Sequence, residues 1–535
     1  MAGAAGSRRA GGRVTARGAG AAAGAAGAAR GGVAGLQNGS DVRGVAEGPR
    51  ANLGAPEARA VARAFAAGLG PGARVAVGRD PRRTGPELGA AVHAGLADGG
   101  CAAVGDLGLA TTPAVFMACA TEGFAYDGGI MLTASHLPPE RNGMKFFTPA
   151  GGLSKADVTT LLERAEDLFG EPAPGGEGAP AEPEPFMAVY AEQLQTAIRA
   201  GLGEAGEGER PLEGFKVAVN AGHGSGGFFA RDVLAPLGAD VSASVFLEPN
   251  GDFPAHPPNP EHPEAVARTV EAVLGGGCDL GIVFDTDVDR SAVVDSDGQV
   301  LNRNRLIAAM AAVVLREHPG STVVTDSVTS AGLPKFIAAL GGRHLRYRRG
   351  YKNVIEKGVE LNAAGEECHL MIETSGHGAL KENYFLDDGA FMAVKLLVEA
   401  VRSKQAGGGG LGALIAALEE PREELEVRAG ISADDFVAVG SEVIAAVAAW
   451  VAEAGEGLGW SPEEENHEGL RVRISEGDGR EGWFLVRQSL HDPVLVINFE
   501  SSEVEGLLRT VPLLAEFLTT RFPALDTAGL RVPGA

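Results

Sequence analysis

Short apolar runs alternate with amphipathic stretches along most of the chain. Glycine or aspartate bounds each apolar run, and a stretch with helical spacing usually follows it. The clearest examples are ARVAVGRD before GPELGAAVHAGLADGG (73–80 and 85–100), FKVAVNAG before FFARDVLAPLG (215–222 and 228–238), CDLGIVFDTD (278–287), and STVVTDS before AGLPKFIAAL (321–327 and 331–340). This pattern predicts crossover units and mostly parallel sheets that helices cover on both faces. We therefore expect an α/β fold with ligands in the loops that follow the strands.

The order of the pattern changes near the C terminus, and two stretches interrupt it earlier. From about residue 424 a strand, a helix and further strands follow one another, which predicts a smaller mixed domain. The interruptions, EPAPGGEGAPAEPEP (171–185) and SKQAGGGGLG (403–412), are rich in proline or glycine and should sustain neither helix nor strand. A chain of 535 residues is too long for one hydrophobic core, so three or four domains are expected.

Charge and composition narrow the classes of partner. The net charge of −24 argues against a nucleic-acid surface, because phosphate backbones are bound through clustered lysine and arginine. No stretch approaches the roughly 20 apolar residues of a membrane span, so we expect a soluble protein without a membrane partner. The four cysteines are far apart and form no CxxC pair, which favours a reducing compartment over a zinc site or a disulfide framework.

The first 36 residues differ in kind from the rest of the chain. They are rich in alanine, glycine and arginine, and no acidic residue occurs before Asp41. This composition resembles an organellar transit peptide, and a disordered tail is the alternative. We predict that residues 1–36 lie outside the folded protein.

A candidate metal loop follows an apolar strand in GIVFDTDVDRS (281–291), which brings Asp285, Asp287 and Asp289 together. Hard oxygen ligands at alternate positions suit Mg²⁺ or Ca²⁺, although the spacing does not fit an EF-hand. The run also resembles the opening of haloacid-dehalogenase phosphatases, with Asp285 as nucleophile and Asp287 as acid. A solvated acidic loop is less favoured, because three carboxylates this close repel one another unless a cation holds them.

Two further loops carry candidate chemistry in the first and third quarters of the chain. MLTASHLPPERNGMKFF (131–147) places a serine beside a histidine in a polar, proline-broken loop, where the hydroxyl is a candidate reactive group. RHLRYRRGYK (343–352) has five basic residues, Lys352 among them, and no acid. In a protein this acidic, such a run is either a phosphate-binding site or an exposed helix edge.

Polar loops nearer the C terminus offer hydrogen-bonding groups. Glu373, Ser375 and His377 follow an apolar strand in IETSGHGALKENYFLDDGA (372–390), where they suit a polyol ligand or form a structural turn. In WFLVRQSLHDPVLVINFES (483–501) an arginine, a hydroxyl and loop amides can form an anion cradle, and an ordinary hairpin connection is the alternative.

The order of these loops resembles that of the alpha-D-phosphohexomutase superfamily over residues 37 to about 530. NGSDVRG (38–44), VGRDPRRTGPEL (77–88) and DLGLATTPAVFMA (106–118) are similar to further family segments, and TASHLPPERNGMKFF is the most specific match. The resemblance implies three α/β domains and a smaller α+β C-terminal domain around a central cleft. We predict domain boundaries at 37–203, 204–314, 315–422 and 423–535.

The resemblance also implies roles for individual residues. Ser135 would carry a phosphoryl group and, with Asp285, Asp287 and Asp289, hold Mg²⁺. Arg290 would stabilise the transferring phosphate, and Lys145 or His136 would move the proton of the sugar hydroxyl. The residues expected to bind the substrate are Arg43, Lys352, Glu373, Ser375, His377, Arg487, Ser489 and His491.

The implied activity interconverts hexose 1-phosphate and hexose 6-phosphate of glucose or mannose, through a bound hexose 1,6-bisphosphate that also serves as activator. Glucosamine phosphate is the nearest alternative substrate. A haloacid-dehalogenase-type phosphatase is a second hypothesis, and it would use Asp285, Asp287, Thr325, Asp387 and Asp388. A sugar-phosphate-binding protein that has lost turnover is a third.

Two departures from the family pattern bear on these hypotheses. Leu137 replaces the usual Asn after TASH, and Leu490 and His491 replace small polar residues in the distal phosphate loop. Loss of a hydroxyl donor should weaken a phosphate cradle, although His491 can also donate a hydrogen bond. The SLHDP form resembles that of plastid-type plant and algal members, so we expect a chloroplast location, with the cytoplasm as alternative.

Overall fold

The first sheet of the protein collects strands from the first 183 residues, in the order β1-β2-β6-β5-β3-β4-β8, with β7 on β6. The structure, a computed structural model, describes residues 32–172, 181–477, 479–489 and 492–532. The elements are β1 (Gln37–Asn38), β2 (Asp41–Val45), α1 (Ala55–Leu69), β3 (Arg74–Arg79), α2 (Gly85–Asp98), β4 (Ala103–Leu109), α3 (Thr112–Ala120), β5 (Gly128–Leu132), β6 (Arg141–Thr148), β7 (Gly151–Gly152), α4 (Lys155–Leu168), β8 (Ala181–Pro183) and α5 (Phe186–Leu202). Strands β4, β3 and β5 are parallel, as the alternating pattern predicts.

The second and third sheets share one apolar core. The second has the order β12-β11-β10-β9 and the third the order β14-β13-β15-β16-β17. Their elements are β9 (Val217–Asn220), a π-helix (Phe229–Leu234), α6 (Pro263–Gly276), β10 (Leu280–Phe284), β11 (Ser291–Asp295), β12 (Val300–Leu301), α7 (Arg303–Glu317), β13 (Thr322–Thr325), α8 (Gly332–Ala339), β14 (Arg343–Arg346), α9 (Tyr351–Ala363), β15 (Cys368–Ile372), β16 (Gly378–Leu380), β17 (Leu386–Asp387) and α10 (Gly389–Gln405). Helices α3, α5, α7 and α10 contribute buried side chains to this core.

The fourth sheet is antiparallel, in the order β18-β22-β21-β20-β19. Its elements are β18 (Glu423–Gly430), α11 (Phe436–Leu458), β19 (Trp460–Pro462), β20 (Leu470–Gly477), β21 (Arg480–Gln488), β22 (Val494–Ser501) and α12 (Leu507–Arg521). This domain has a core of its own under α11 and α12. The prediction of three α/β units and a smaller α+β C-terminal domain is therefore confirmed.

Helix α11 corrects the expectation that no stretch is long and apolar enough to span a membrane. By length and composition Phe436–Leu458 meets that criterion, with a mean hydropathy of 1.7, and it is the only helix that does so within the described parts of the chain. Val443, Val447 and Val451 lie one helical turn apart and are buried against the fourth sheet, whereas only 22% of the apolar window of the helix is buried.

Three segments differ from the predictions made for linkers and tails. Ala181–Pro183 pairs with β4 as a strand, so the stretch 171–185 was wrongly predicted to hold no strand; 173–180 lie outside the described residues. Helix α10 likewise continues into the stretch 403–412, as far as Gln405. In the predicted transit peptide, residues 1–31 lie outside the described residues, whereas Val33 and Leu36 are buried in the first domain. Cleavage and chloroplast location stay predictions.

Candidate active site

Loops from the first and second sheets meet at Ser135. Its hydroxyl lies 3.2 Å from Asp285 Oδ2, to which it can donate, and accepts a hydrogen bond from Arg290 Nη2 at 2.8 Å. Ser135 is buried and its φ of +51° is in the left-handed region, which is unfavourable for a non-glycine residue. The Ser135 hydroxyl is therefore held, with a strained backbone, between the carboxylate of Asp285 and the guanidinium of Arg290, which both come from another domain.

A buried ion pair fixes the conformation of the Ser135 loop. Arg82, three residues after the end of β3, is completely buried and pairs with Asp80 at 3.1 Å. Its guanidinium donates to the backbone carbonyls of four loop residues, Ser135, Leu137, Pro138 and Arg141. Because these bonds run along the whole turn, Arg82 offsets the strain at Ser135. Leu137, the departure from the usual Asn, contributes its carbonyl here.

Three buried carboxylates follow β10 in the second domain. Oxygen atoms of Asp285, Asp287 and Asp289 lie within 4.8 Å of one another. Asp287 Oδ1 and Asp289 Oδ1 are buried and accept no hydrogen bond from any described residue. A divalent cation bound by oxygen ligands would satisfy both atoms, so these side chains fit the metal site that the sequence predicts.

Two buried cations partly neutralise this cluster. Lys145 on β6 contacts Asp289 and lies 3.1 Å from Asp287 Oδ2, and Arg290 Nε lies 3.0 Å from Asp285 Oδ2. Burial alone would lower the pKa of Lys145, but the charges of Asp287 and Asp289 raise it well above its usual value. Burial, together with the Asp289 charge, raises the pKa of Asp285. Two positive side chains do not neutralise three carboxylates, so the cluster can accommodate a further cation.

The two groups proposed to move a proton are both engaged. Lys145 is held between two carboxylates, as described above. His136 Nδ1 lies 2.6 Å from Arg290 Nη2 and accepts its hydrogen bond. The charge of Arg290, together with burial, lowers the pKa of His136 to about 2. His136 is therefore neutral and acts as an acceptor for Arg290.

Glu373, Ser375 and His377 form a third loop at the end of β15. Glu373 Oε1 accepts from the Gly350 amide at 2.6 Å, and Oε2 accepts from the Ser375 hydroxyl at 3.1 Å. Burial, together with the nearby Asp326 carboxylate, raises the pKa of Glu373 to about 7. This carboxyl group thus changes charge close to neutral pH.

Asp387 orients the imidazole of His377. His377 Nδ1 lies 2.5 Å from Asp387 Oδ2, and the ring stacks on Tyr351 with centroids 4.9 Å apart. Burial would lower the pKa of His377, but Asp387 and Asp289 raise it to about 9. The pairing at Nδ1 leaves Nε2 as the nitrogen that can face a ligand.

Lys352 lies in the wall of a cavity beside the cluster, and Arg43 pairs with a residue of the same wall. The cavity has a volume of about 360 Å³, and Lys145, Asp289, Tyr351 and Lys352 contribute to its wall. Lys352 donates to the Gly152 carbonyl at 2.7 Å. Arg43 pairs with Asp41, another wall residue, at 2.7 Å. Both predicted substrate-binding cations thus lie next to the predicted metal site.

The basic residues of the run 343–352 have different roles, and together they form neither an exposed helix edge nor a single phosphate site. Arg346 ends β14 and pairs with Glu463 of the C-terminal domain at 2.7 Å, and Arg348 donates to the His467 carbonyl at 3.1 Å. Two members of the run therefore join the third and fourth domains. Lys352, on α9, is the member that reaches the cavity.

Arg487 lies near the end of β21 in the C-terminal domain. It is buried, its Nε donates to no described residue, and burial together with the charge of Arg349 lowers its pKa. An anion would satisfy this donor. The Ser489 amide donates to the Val494 carbonyl at 3.0 Å, which closes the hairpin. Leu490 and His491 lie outside the described residues, so their predicted effect stays a prediction.

The alternative phosphatase set is not assembled. Thr325 Oγ1 forms a hydrogen bond with His344 Nε2 at 2.7 Å, on the neighbouring strand β14. Asp388 begins α10, where it accepts from the Phe391 amide and the Tyr190 hydroxyl. Both residues serve local structure, which removes two members that the phosphatase hypothesis requires.

Several residues of the site escaped the sequence analysis. Asp80 and Arg82 lie within VGRDPRRTGPEL, where an aspartate directly after an apolar run was the available signal. Asp387 was named only for the phosphatase hypothesis, and its pairing with His377 was missed because it depends on contacts between strands. Tyr351 gave no signal of its own.

Comparisons with known proteins agree with this geometry. Residues 35–167, 188–298 and 302–418 match the family models described as phosphoglucomutase/phosphomannomutase, alpha/beta/alpha domains I, II and III. The chain belongs to this family. It is 32% identical over 439 residues to a phosphomannomutase/phosphoglucomutase of Pseudomonas aeruginosa, covering 81% of this chain and 85% of the relative. The family resemblance of the sequence is thus confirmed.

Other family members extend the comparison. A phosphoglucomutase/phosphomannomutase family protein of Burkholderia thailandensis has a crystal structure with a TM-score of 0.75, 27% identity and coverage of 92% of this chain and 99% of that chain. A phosphoglucosamine mutase of Symbiobacterium thermophilum is 32% identical over 456 residues, covering 83% of this chain and 89% of the relative.

We predict that Arg82→Met destabilises the first domain by about 3–5 kcal/mol, because it leaves Asp80 as an uncompensated buried charge. Urea denaturation measures the change. The matched control is Arg83→Met, which removes an exposed cation paired with Glu47 and Asp252 and should leave the midpoint unchanged. Equal midpoints for both variants would contradict the role of Arg82.

We also predict that Mg²⁺ stabilises the protein, by about 2.7 kcal/mol at a free concentration 100 times its Kd. Thermal unfolding with and without Mg²⁺ measures this effect. Asp287→Asn should abolish it, whereas Asp297→Asn, which changes an exposed carboxylate after β11, should preserve it. A Mg²⁺ effect that survives Asp287→Asn would place the metal elsewhere.

Proposed function

We propose that this protein is a phosphohexomutase that moves a phosphoryl group between O1 and O6 of glucose or mannose phosphates through Ser135. The main support is that the Ser135 hydroxyl contacts Asp285 and Arg290, two residues of a different domain. A structural serine requires no such surroundings. The family relatives named phosphomannomutase/phosphoglucomutase support the same activity.

In the first half of the reaction, phosphorylated Ser135 donates its phosphoryl group to a free hydroxyl of a hexose phosphate. The bond between serine Oγ and phosphorus breaks, a bond between phosphorus and the sugar oxygen forms, and the sugar hydroxyl loses its proton. The hexose 1,6-bisphosphate then turns over, and its other phosphate returns to Ser135. We propose the same bisphosphate as activator, because it phosphorylates a resting enzyme.

The residues around Ser135 suit a transfer of this kind. Phosphoryl transfer depends on alignment and on stabilising charge over the phosphate oxygens. Arg290 Nη2 already donates to Ser135 Oγ, so it can follow the charge as the phosphoryl group leaves. Asp285, Asp287 and Asp289 would hold Mg²⁺, which supplies positive charge next to the phosphoryl oxygens. Lys145 keeps Asp287 and Asp289 in place.

We propose that His377, rather than Lys145 or His136, exchanges the proton of the sugar hydroxyl. Lys145 is fixed between two carboxylates, and His136 accepts from Arg290. His377 instead has one nitrogen anchored by Asp387 and the other available, on a loop that contacts Arg290 through the backbone. An imidazole held in this way is a common arrangement for general acid–base catalysis.

The remaining groups suit a ligand that binds in two orientations. Glu373 and Ser375 can contact sugar hydroxyls, and buried Arg487 in the C-terminal domain can receive the phosphate that does not react. Arg346 and Arg348 join that domain to the third. Closure of the fourth domain would exclude water, which otherwise hydrolyses the phosphoserine.

We predict that Ser135→Ala abolishes conversion of glucose and mannose 1-phosphates to the 6-phosphates, while Ser432→Ala leaves it intact. A coupled assay with Mg²⁺ and a trace of hexose 1,6-bisphosphate measures turnover, with glucosamine 1-phosphate as a third substrate and free phosphate followed in parallel. Activity of Ser135→Ala, or phosphate release without isomerisation, would contradict the mutase. Turnover of glucosamine 1-phosphate alone would mean that the substrate is glucosamine phosphate rather than glucose or mannose phosphate.

His377→Gln should lower kcat by about 10²- to 10⁴-fold, because it removes the group that exchanges the proton, with little change in KM. The control is His369→Gln, which changes a histidine on β15, before this loop, whose partner is Glu367. Steady-state kinetics on both variants measures the effect. A wild-type kcat for His377→Gln would assign proton exchange to another group.

The pKa of Glu373 predicts a pH dependence of substrate binding. Above about 7 the carboxylate is ionised and accepts strong hydrogen bonds from sugar hydroxyls, so KM should rise as the pH falls through that value. Because the substrate phosphate also titrates near pH 6, the measurement is the ratio of KM between wild type and Glu373→Gln. A ratio independent of pH would mean that Glu373 does not bind the sugar.

A further inference from the structure

A separate cavity lies in the first domain, under α2 and at the ends of β3, β4 and β5. Its volume is about 250 Å³, and no side chain of the active site described above contributes to its wall. Three polar residues, Arg79, His93 and Asp106, line it together with apolar groups such as Val77 and Leu132. The three come from β3, α2 and β4, so the tertiary fold assembles them.

Arg79 is an unpaired cation in the wall of this cavity. It is only partly exposed, and its guanidinium makes no hydrogen bond or ion pair with any described residue. The protein carries an excess of carboxylates, with a net charge of −24, yet none of the described ones pairs with Arg79. A guanidinium with five free donors in a concave site is suited to a carboxylate or a phosphate.

His93 and Asp106 supply further unused hydrogen-bonding capacity. His93 Nε2 is buried and has no partner among the described residues. Asp106 Oδ1 accepts from the Gly108 amide at 2.8 Å, which leaves Oδ2 as a free acceptor. The cavity thus presents a cation, an imidazole nitrogen and a carboxylate oxygen within one small volume.

We propose that this cavity is a binding site for a small phosphorylated or carboxylated polyol. The anionic group would bind Arg79, with His93 as second donor, and a hydroxyl of the ligand would donate to Asp106. A simple anion without a donor would face the Asp106 carboxylate unfavourably. The volume of about 250 Å³ is below the about 300–1,000 Å³ of ordinary ligand pockets, which favours a compound smaller than a hexose phosphate.

The cavity wall continues into the loop that carries Ser135. Leu132 lines the cavity and its carbonyl accepts from the Asp80 amide at 2.9 Å. Asp80 follows Arg79 directly and accepts from the Thr133 hydroxyl at 2.8 Å, two residues before Ser135. A ligand at Arg79 therefore lies close to the ion pair that fixes the Ser135 loop. The binding site itself is independent of the proposed function.

Isothermal titration of the full chain with glycerol 3-phosphate tests the proposal, with glycerol and inorganic phosphate as partial probes. The variants are Arg79→Met and His93→Leu in the cavity, and Arg487→Met in the cleft. Arg50→Met, which removes an exposed arginine and the same charge, is the matched control. Thermal unfolding of each variant establishes that it is folded.

We expect a binding component that Arg50→Met and Arg487→Met retain and that Arg79→Met weakens at least about tenfold. His93→Leu, on the other wall, should weaken the same component. Glycerol 3-phosphate should bind this site more tightly than inorganic phosphate, and glycerol alone should not bind. Absence of binding up to about 10 mM, or binding lost with Arg487→Met and unaffected by Arg79→Met, would overturn the proposal.

Discussion

The structure depends on the burial of three carboxylates in one loop. Asp285, Asp287 and Asp289 repel one another, and each would incur a large desolvation cost alone. Lys145 and Arg290 reduce that cost, and Lys145 comes from the first sheet while the aspartates follow a strand of the second. The electrostatic balance therefore requires the two domains to meet here, and it brings the Ser135 hydroxyl to Asp285 at the same time.

The same constraint explains why so many supporting groups are charged and buried. Asp80 and Arg82 fix the Ser135 loop from behind, and Asp387 fixes His377. In each pair one partner neutralises the other, so the residue at the cleft keeps a defined orientation. Such pairs add little stability by themselves compared with apolar packing. We interpret them as positioning devices, because removal of either partner leaves a buried charge that disturbs the loop.

Much of this could be predicted from the sequence, where local pattern and local chemistry coincide. The apolar runs before Arg79 and Asp285 predicted the strands, and DxDxD predicted a metal site because its three ligands are close in sequence. Prediction failed where partners are far apart in the chain, as for Arg82 with the carbonyls of the Ser135 loop. The strand at Ala181–Pro183 was missed because its pairing with β4, at the edge of the sheet, outweighs the local tendency of proline to interrupt a strand. The apolar character of α11 was underestimated because alanine and glycine dilute its valines.

Phosphoryl transfer through Ser135 is tested by the mass of the peptide that contains this residue. The protein is incubated with glucose 1,6-bisphosphate and Mg²⁺, digested and analysed by mass spectrometry. We expect one added phosphoryl group on Ser135, which glucose 1-phosphate removes on mixing. An unmodified Ser135, or phosphate on Asp285 instead, would contradict it.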